Sequence, residues 1–165
     1  MIENFIELHK QINDWKKQRG LTIKMQREGL IKNLREEIME LIDSENKDDF
    51  LNALCDISIL CIGVLRSVNK IKIEECMWSV NALIINYNTL KKEFSNKNLF
   101  YLIASCKAGV ENADFDYFKC MQETIKEISS RTGKYDDEAK KWIKDTSDEA
   151  KTKWYKADYS KCKRS

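Results

Sequence analysis

No proline occurs anywhere in the 165 residues of this chain, and only five residues are glycine. Proline breaks helices by removing an N–H and crowding the preceding turn. Multi-stranded sheets take their turns from Gly, Pro, Asn and Asp, and a barrel or sandwich needs one every ~8–12 residues. A chain built this way favours long helices, so the expected class is all-α. Barrels, sandwiches and Gly-rich phosphate loops are disfavoured. The length fits one domain over residues 1–165, large enough to bury roughly 70% of its unfolded surface. Hydrophobic residues make up 42% and the net charge is only +2. That balance argues against disorder and against a strongly basic nucleic-acid binder.

Apolar residues recur at helical spacing along the whole chain. Ile2, Phe5, His9, Ile12 and Trp15 mark a first helix, with Gly20 as its stop. His9 reads as a helix-face residue. A linker through Thr22 and Lys24 leads to a second helix, striped by Ile31, Leu34, Ile38 and Leu41. Asp48 or Asp49 is placed to cap a third. From Phe50 to Leu65 the only polar side chains of that third helix are Asn52, Asp56 and Ser58. A helix apolar on all sides is central and buried. With an acid inside it, it is too short and too charged to span a membrane. A fourth helix is expected from Ile73 through Cys76, Met77 and Val80 to Phe94, a fifth around Leu99–Cys106, and a sixth from Phe118 to Ile128, closing near Gly133. The run Thr146-Ser-Asp-Glu149 reads as a capping box that opens a last helix through Trp154 and Tyr155.

The six cysteines form no C-x-x-C pair, and the only histidine is His9. Most of the thiols interrupt apolar helical runs, so they read as free, buried small hydrophobes rather than zinc ligands. The start Met1-Ile-Glu-Asn lacks the basic opening of a signal peptide. The expected setting is a reducing cytoplasm.

Two acidic features need an explanation. Glu36-Glu37-x-x-Glu40 lies on the second helix, where residues three and four apart are surface neighbours. Asp56 lies inside the apolar third helix, where an isolated carboxylate is costly. The bland reading is a solvated Glu-rich face and an ion-paired Asp. The sharper one joins the two features: a divalent cation held by Glu37, Glu40 and Asp56 would relieve both the repulsion and the burial, and Mg²⁺ takes such oxygen ligands. A di-iron bundle would need Glu-x-x-His motifs, which the single His9 cannot supply.

Three segments carry a resemblance. INDWKKQRGL (12–21), LREEIMEL (34–41) and NALCDISIL (52–60) resemble the MazG-like branch of the all-α NTP pyrophosphohydrolases. IKEISSRTG (125–133) and the stretch that follows resemble small phage-type members. Residues 66–115 fall outside the match and read as a helical insertion. The resemblance implies a helical bundle of that type with inserted helices and a helical C-terminal tail over 134–165. It also implies Mg²⁺-dependent hydrolysis of a (deoxy)nucleoside triphosphate to the monophosphate and pyrophosphate, for nucleotide-pool control or housecleaning, with Mn²⁺ as a substitute ion. Glu37, Glu40 and Asp56 would be the metal ligands and Glu36 the base that orients the attacking water. Many members carry a further acid three or four residues before the Asp. Here Ala53 and Asn52 stand there, and Asn52 can offer a carbonyl oxygen instead. Trp15 would wall the base pocket, unless it packs in the core. Lys16, Arg19, Arg131 and Lys134 would meet phosphate, unless they are solvated. Lys126 matches a position that is often Asn. Self-association as a dimer or tetramer is implied as well.

Residues 131–165 hold 11 basic and seven acidic side chains, a net +4, against 18 and 20, a net −2, in the rest. Lys153-Trp154-Tyr155-Lys156 interleaves aromatics with positive charge there. The alternative function is a non-catalytic helical module gripping single-stranded nucleic acid through this tail. Packing of Trp154 onto the chain's own body is the structural counterpart of that reading.

Overall fold

Three helices pack on a fourth, α3 (Lys47–Gly63), in the computed structural model, which describes residues 1–69, 71, 73 and 75–164. Lys70, Lys72 and Glu74 of the expected 66–115 insertion, and Ser165 at the end of the tail, lie outside the described residues. The partners of α3 are α1 (Ile2–Gln18), α2 (Ile23–Ile42) and α5 (Asn96–Asn112). α3 also meets α6 (Tyr117–Ser129), and α4 (Val80–Lys92) lies against α5 and α2. Leu51, Leu54, Ile57 and Ile62 of α3 are fully buried, as expected for a helix apolar on all sides. Each such side chain contributes about 1.5–3 kcal/mol relative to exposure. The expected insertion is thereby part of the core: Leu99, Leu102, Ile103 and Cys106 of α5 pack into the same cluster as Phe5, Leu34 and Cys162.

The helix ends follow local chemistry. Gly20 adopts φ +65°, and the N–H groups of Gly20 and Leu21 bond back to Lys17 and Lys16 carbonyls at 3.2 and 3.0 Å. That is a Schellman close, which only a residue without Cβ adopts freely. The α3 cap is Asn46, not Asp48 or Asp49; its Oδ1 accepts from the Asp49 N–H at 3.0 Å while its amide reaches back to the Asp49 carboxylate. At the other end of α3, the Lys16 amine donates to Gly63 O at 2.5 Å, Arg27 donates to Val64 O at 3.1 Å, and a ring nitrogen of His9 lies 3.0 Å from Leu65 O. Three side chains from α1 and α2 thus occupy carbonyls left over at the helix end.

The structure departs from the sequence reading in three places. The described residues from Ile71 to Ser79 are not helical, and α4 starts at Val80. Ser79 is extended and its hydroxyl accepts from Ala82 N–H, a start signal that the apolar stripe overrode. Cys76 is consequently exposed, while the other five cysteines are buried and all six are free. The tail is mostly not helical: α7 (Asp148–Lys151) is a single turn capped by Ser147, and a 3-10 turn covers Tyr159–Cys162. Finally, Gly133–Asp136 (β1) and Lys141–Lys144 (β2) pair as an antiparallel hairpin, with Tyr135 opposite Trp142. The Asp136 carboxylate accepts the N–H groups of Glu138 and Ala139 in the connecting turn. The molecule is mostly helical with this one small sheet among the described residues. No helix among them is long and apolar enough to cross a membrane.

Candidate active site

A cleft of about 840 Å³ opens where α2, α3, the end of α6 and the hairpin converge, within the ~300–1,000 Å³ of small-molecule sites. Glu37, Glu40, Asn52 and Asp56 line one side. The first two come from successive turns of α2, and the second two are four apart on α3, so both pairs share a helix face. Arg131, Lys141 and Lys144 line the cleft from the end of α6 and from the hairpin. Trp15, Trp142, Ile59 and Ile128 supply its apolar surface.

The acids act on one another. Burial pushes the Glu37 carboxyl up to about 9, with the negative charges of Asp56 and Glu40 adding to it and Lys141 opposing it. Glu37 Oε2 is buried with no hydrogen-bond partner among the described residues. Asp56 is raised to about 6, again chiefly by burial. The Asn52 amide, donating to Asp56 Oδ2 at 2.6 Å, and the charge of Arg131 pull against that rise. Asn52 therefore turns its nitrogen to Asp56, and that bond does not use its carbonyl oxygen.

Six of the eleven expected site residues, Glu37, Glu40, Asn52, Asp56, Trp15 and Arg131, come together in this one cleft. Glu36 stands beside it, ion-paired with Lys141 of β2. Arg19 is one layer behind: its guanidinium lies 4.7 Å from the Trp15 ring and 5.0 Å from the Trp142 ring. It donates to the carbonyls of Ile128 and Arg131 at 3.2 and 2.7 Å. Trp15 Nε1 also donates to Ile128 O, at 3.2 Å. Arg19 thus braces the aromatic wall and the α6 end rather than facing the cleft. Lys16 is not brought to the cleft, since its buried amine serves Gly63 O. Lys126 is paired with Glu123 on α6, and Lys134 lies on β1 without lining the cleft.

The sequence reading missed the hairpin contribution of Lys141, Trp142 and Lys144. Strands of four residues carry too little alternation to register, and the aromatic, β-branched Trp142-Ile143 pair was the only hint. The tail aromatics are engaged within the chain. Trp154 covers Arg131, and the Tyr155 hydroxyl donates to Glu123. Their placement lends no support to a nucleic-acid grip.

No protein-family model, no curated protein and no solved structure matches the chain. Among the described residues no three His, Cys, Asp or Glu side chains stand grouped as a metal site. The donor set still suits a hard cation, being carboxylates and an amide. Glu37 Oε2, buried and without a partner, is the atom that such an ion would satisfy.

Proposed function

We propose that the chain is a Mg²⁺-dependent nucleoside triphosphate pyrophosphohydrolase of the MazG-like all-α type, splitting a (deoxy)nucleoside triphosphate into the monophosphate and pyrophosphate for nucleotide-pool control or housecleaning. One observation carries the reading: Asp56 and Glu40, whose charges act on the buried Glu37, share a cleft with it, three cations and two indoles. An acid cluster asks for a cation, cations ask for an anion, and an aromatic wall suits a planar base. A metal-bridged nucleotide satisfies all three.

Glu37, Glu40 and Asp56, with the Asn52 carbonyl, would hold Mg²⁺, or Mn²⁺ in its place. When bound, the ion supplies neutralisation of the polyphosphate charge and a lowered water pKa. Arg131, Lys141 and Lys144 bind the phosphate chain, which such reactions use mainly for positioning and charge stabilisation. Lys141 engages Glu36 in the resting protein. A phosphate competes for that ammonium, and Glu36 is then free to take the proton of the attacking water. Trp15 and Trp142 hold the base and keep bulk water from that end. Assembly as a dimer or tetramer goes with this reading.

Incubation with each dNTP and Mg²⁺, followed by product identification, tests the proposal. Monophosphate plus pyrophosphate is expected. No turnover of any nucleotide by folded, metal-supplied protein would overturn it. Glu37→Gln and Glu40→Gln should each abolish turnover with the helical circular dichroism unchanged, and retained activity would refute the site.

A further inference from the structure

Helix α6 carries two acids, Glu123 and Glu127, each only 6% exposed. Buried carboxylates need partners, and the C-terminal segment supplies them. After α7 the chain doubles back along α6 as a strap. The Tyr155 hydroxyl and the Asp158 N–H both donate to Glu123. The Tyr155 N–H donates to Ser130 Oγ at 2.8 Å. The Ala157 N–H donates to Glu127 Oε2 at 2.7 Å.

Glu127 is the joint. While one of its oxygens takes the strap, the other takes the guanidinium of Arg131, one turn on. The strap also reaches Arg131 directly, because the Trp154 ring lies 5.3 Å from the guanidinium carbon. The same ring stands 5.6 Å from the ammonium of Lys144. Both cations line the cleft, so Trp154 touches two of its three positive groups. Arg131 is therefore held on one edge by a carboxylate and on one face by an indole. Its Nε is buried and has no hydrogen-bond partner among the described residues. A clamped guanidinium with donor capacity left over, at the rim of a cleft, is arranged for an oxyanion that arrives later.

We propose that the C-terminal strap belongs to the active site: Trp154, together with Glu127, is a positioning residue that presents the Arg131 guanidinium to the phosphate chain of a nucleotide in the cleft. This rests on the triphosphate reading of the cleft given above. A strap that only clamped α6 would affect stability and leave anion affinity alone. A positioning strap moves anion affinity through the cations its ring touches, Arg131 and, beside it, Lys144.

Calorimetric binding of inorganic tripolyphosphate with Mg²⁺ present separates the two, and needs no turnover. Trp154→Leu keeps apolar bulk and loses the ring face, and should weaken tripolyphosphate binding about tenfold, the size of a partly desolvated cation–π contact. Trp154→Phe restores a ring face and should recover most of the loss. In an Arg131→Met background Trp154→Leu should lose most of its effect, and in an Arg131→Met, Lys144→Met background, which removes both cations the ring touches, it should add nothing further. In turnover the same Leu variant should raise KM for the triphosphate far more than it lowers kcat. Trp154→Met replaces the Leu variant if that one does not fold. Tripolyphosphate affinity unchanged in Trp154→Leu, or lowered equally with and without Arg131, would overturn the proposal, as would absence of binding to the unmutated protein. If the unmutated protein binds tripolyphosphate yet hydrolyses no nucleotide, the pyrophosphohydrolase reading falls while the strap is still decided by the binding cycle.

Discussion

Glu37 concentrates the chemistry of this protein in one side chain. Three acids and a lysine act on it, and burial outweighs the lysine. The consequence for stability has a definite sign. Both Glu37 and Asp56 have folded-state values raised above the ordinary ones, 4.5 to about 9 and 3.8 to about 6. Between those limits the folded chain binds more protons than the unfolded one, so stability falls as pH rises. In metal-free buffer the melting temperature should therefore decline from about pH 4 towards pH 9. The steepest part should lie where both groups titrate, below about pH 6. Glu37→Gln should flatten the decline above pH 6 and raise the metal-free melting temperature at pH 8, because it removes the cost of taking up a proton at Glu37 on folding. A thermal-shift series across pH checks both statements; a melting temperature that rises with pH over this range contradicts them.

The helices were legible element by element, since a 3.6-residue stripe needs no knowledge of the partner. Leu34, Ile38 and Leu41 are buried where the stripe placed them, and so are Leu99, Leu102 and Cys106. The hairpin was not legible, because its four-residue strands are held by docking rather than by propensity. Gly29 of α2 shows how close that docking is: a Cβ there would stand 2.0 Å from the backbone oxygen of Lys140. Gly29→Ala must push the hairpin outward, taking Lys141 and Trp142 from the cleft. Nucleotide KM should rise roughly tenfold or more, as expected when groups that position a substrate are displaced, and steady-state kinetics would show it. Gly20→Ala makes the contrast. Nothing lies within 4 Å of a Cβ there, yet φ is +65°. The left-handed backbone should cost about 1 kcal/mol, roughly 2–4 °C in melting temperature at this size, with kinetics unchanged.

For the whole molecule, one apolar cluster ties the N-terminal helix to the last turn of the chain, from Phe5 to Cys162. Leu54 sits at its centre on α3, fully buried. Leu54→Ala should cost about 2–5 kcal/mol by chemical denaturation, enough to threaten a fold whose total stability is ~5–15 kcal/mol. Ligand binding acts on the same balance from the other side. Mg²⁺ at ten times its dissociation constant should stabilise the folded chain by about 1.4 kcal/mol, seen as an upward thermal shift, and Glu37→Gln should lose that shift. An equal shift in the variant would place the cation elsewhere.

Residue spacing alone determined that α2 presents two acids, and α3 an acid beside an amide, on one face, because i, i+3 and i, i+4 neighbours are set by helical geometry and not by packing. It determined equally that α3 would be central, since a helix apolar on every side has no solvent face to show. Only the tertiary structure decided what stands opposite those acids. Arg131 lies in the cleft lining, against Glu127 and the Trp154 ring; Lys16 does not, because its amine is spent on Gly63. Lys141 and Trp142 arrive on a hairpin seated against Gly29. Apart from the Glu127–Arg131 pair, one helical turn apart, those choices rest on contacts between residues from 23 (Arg131 and Trp154) to 111 (Gly29 and Lys140) positions apart, where no local period carries information and close packing makes the selection.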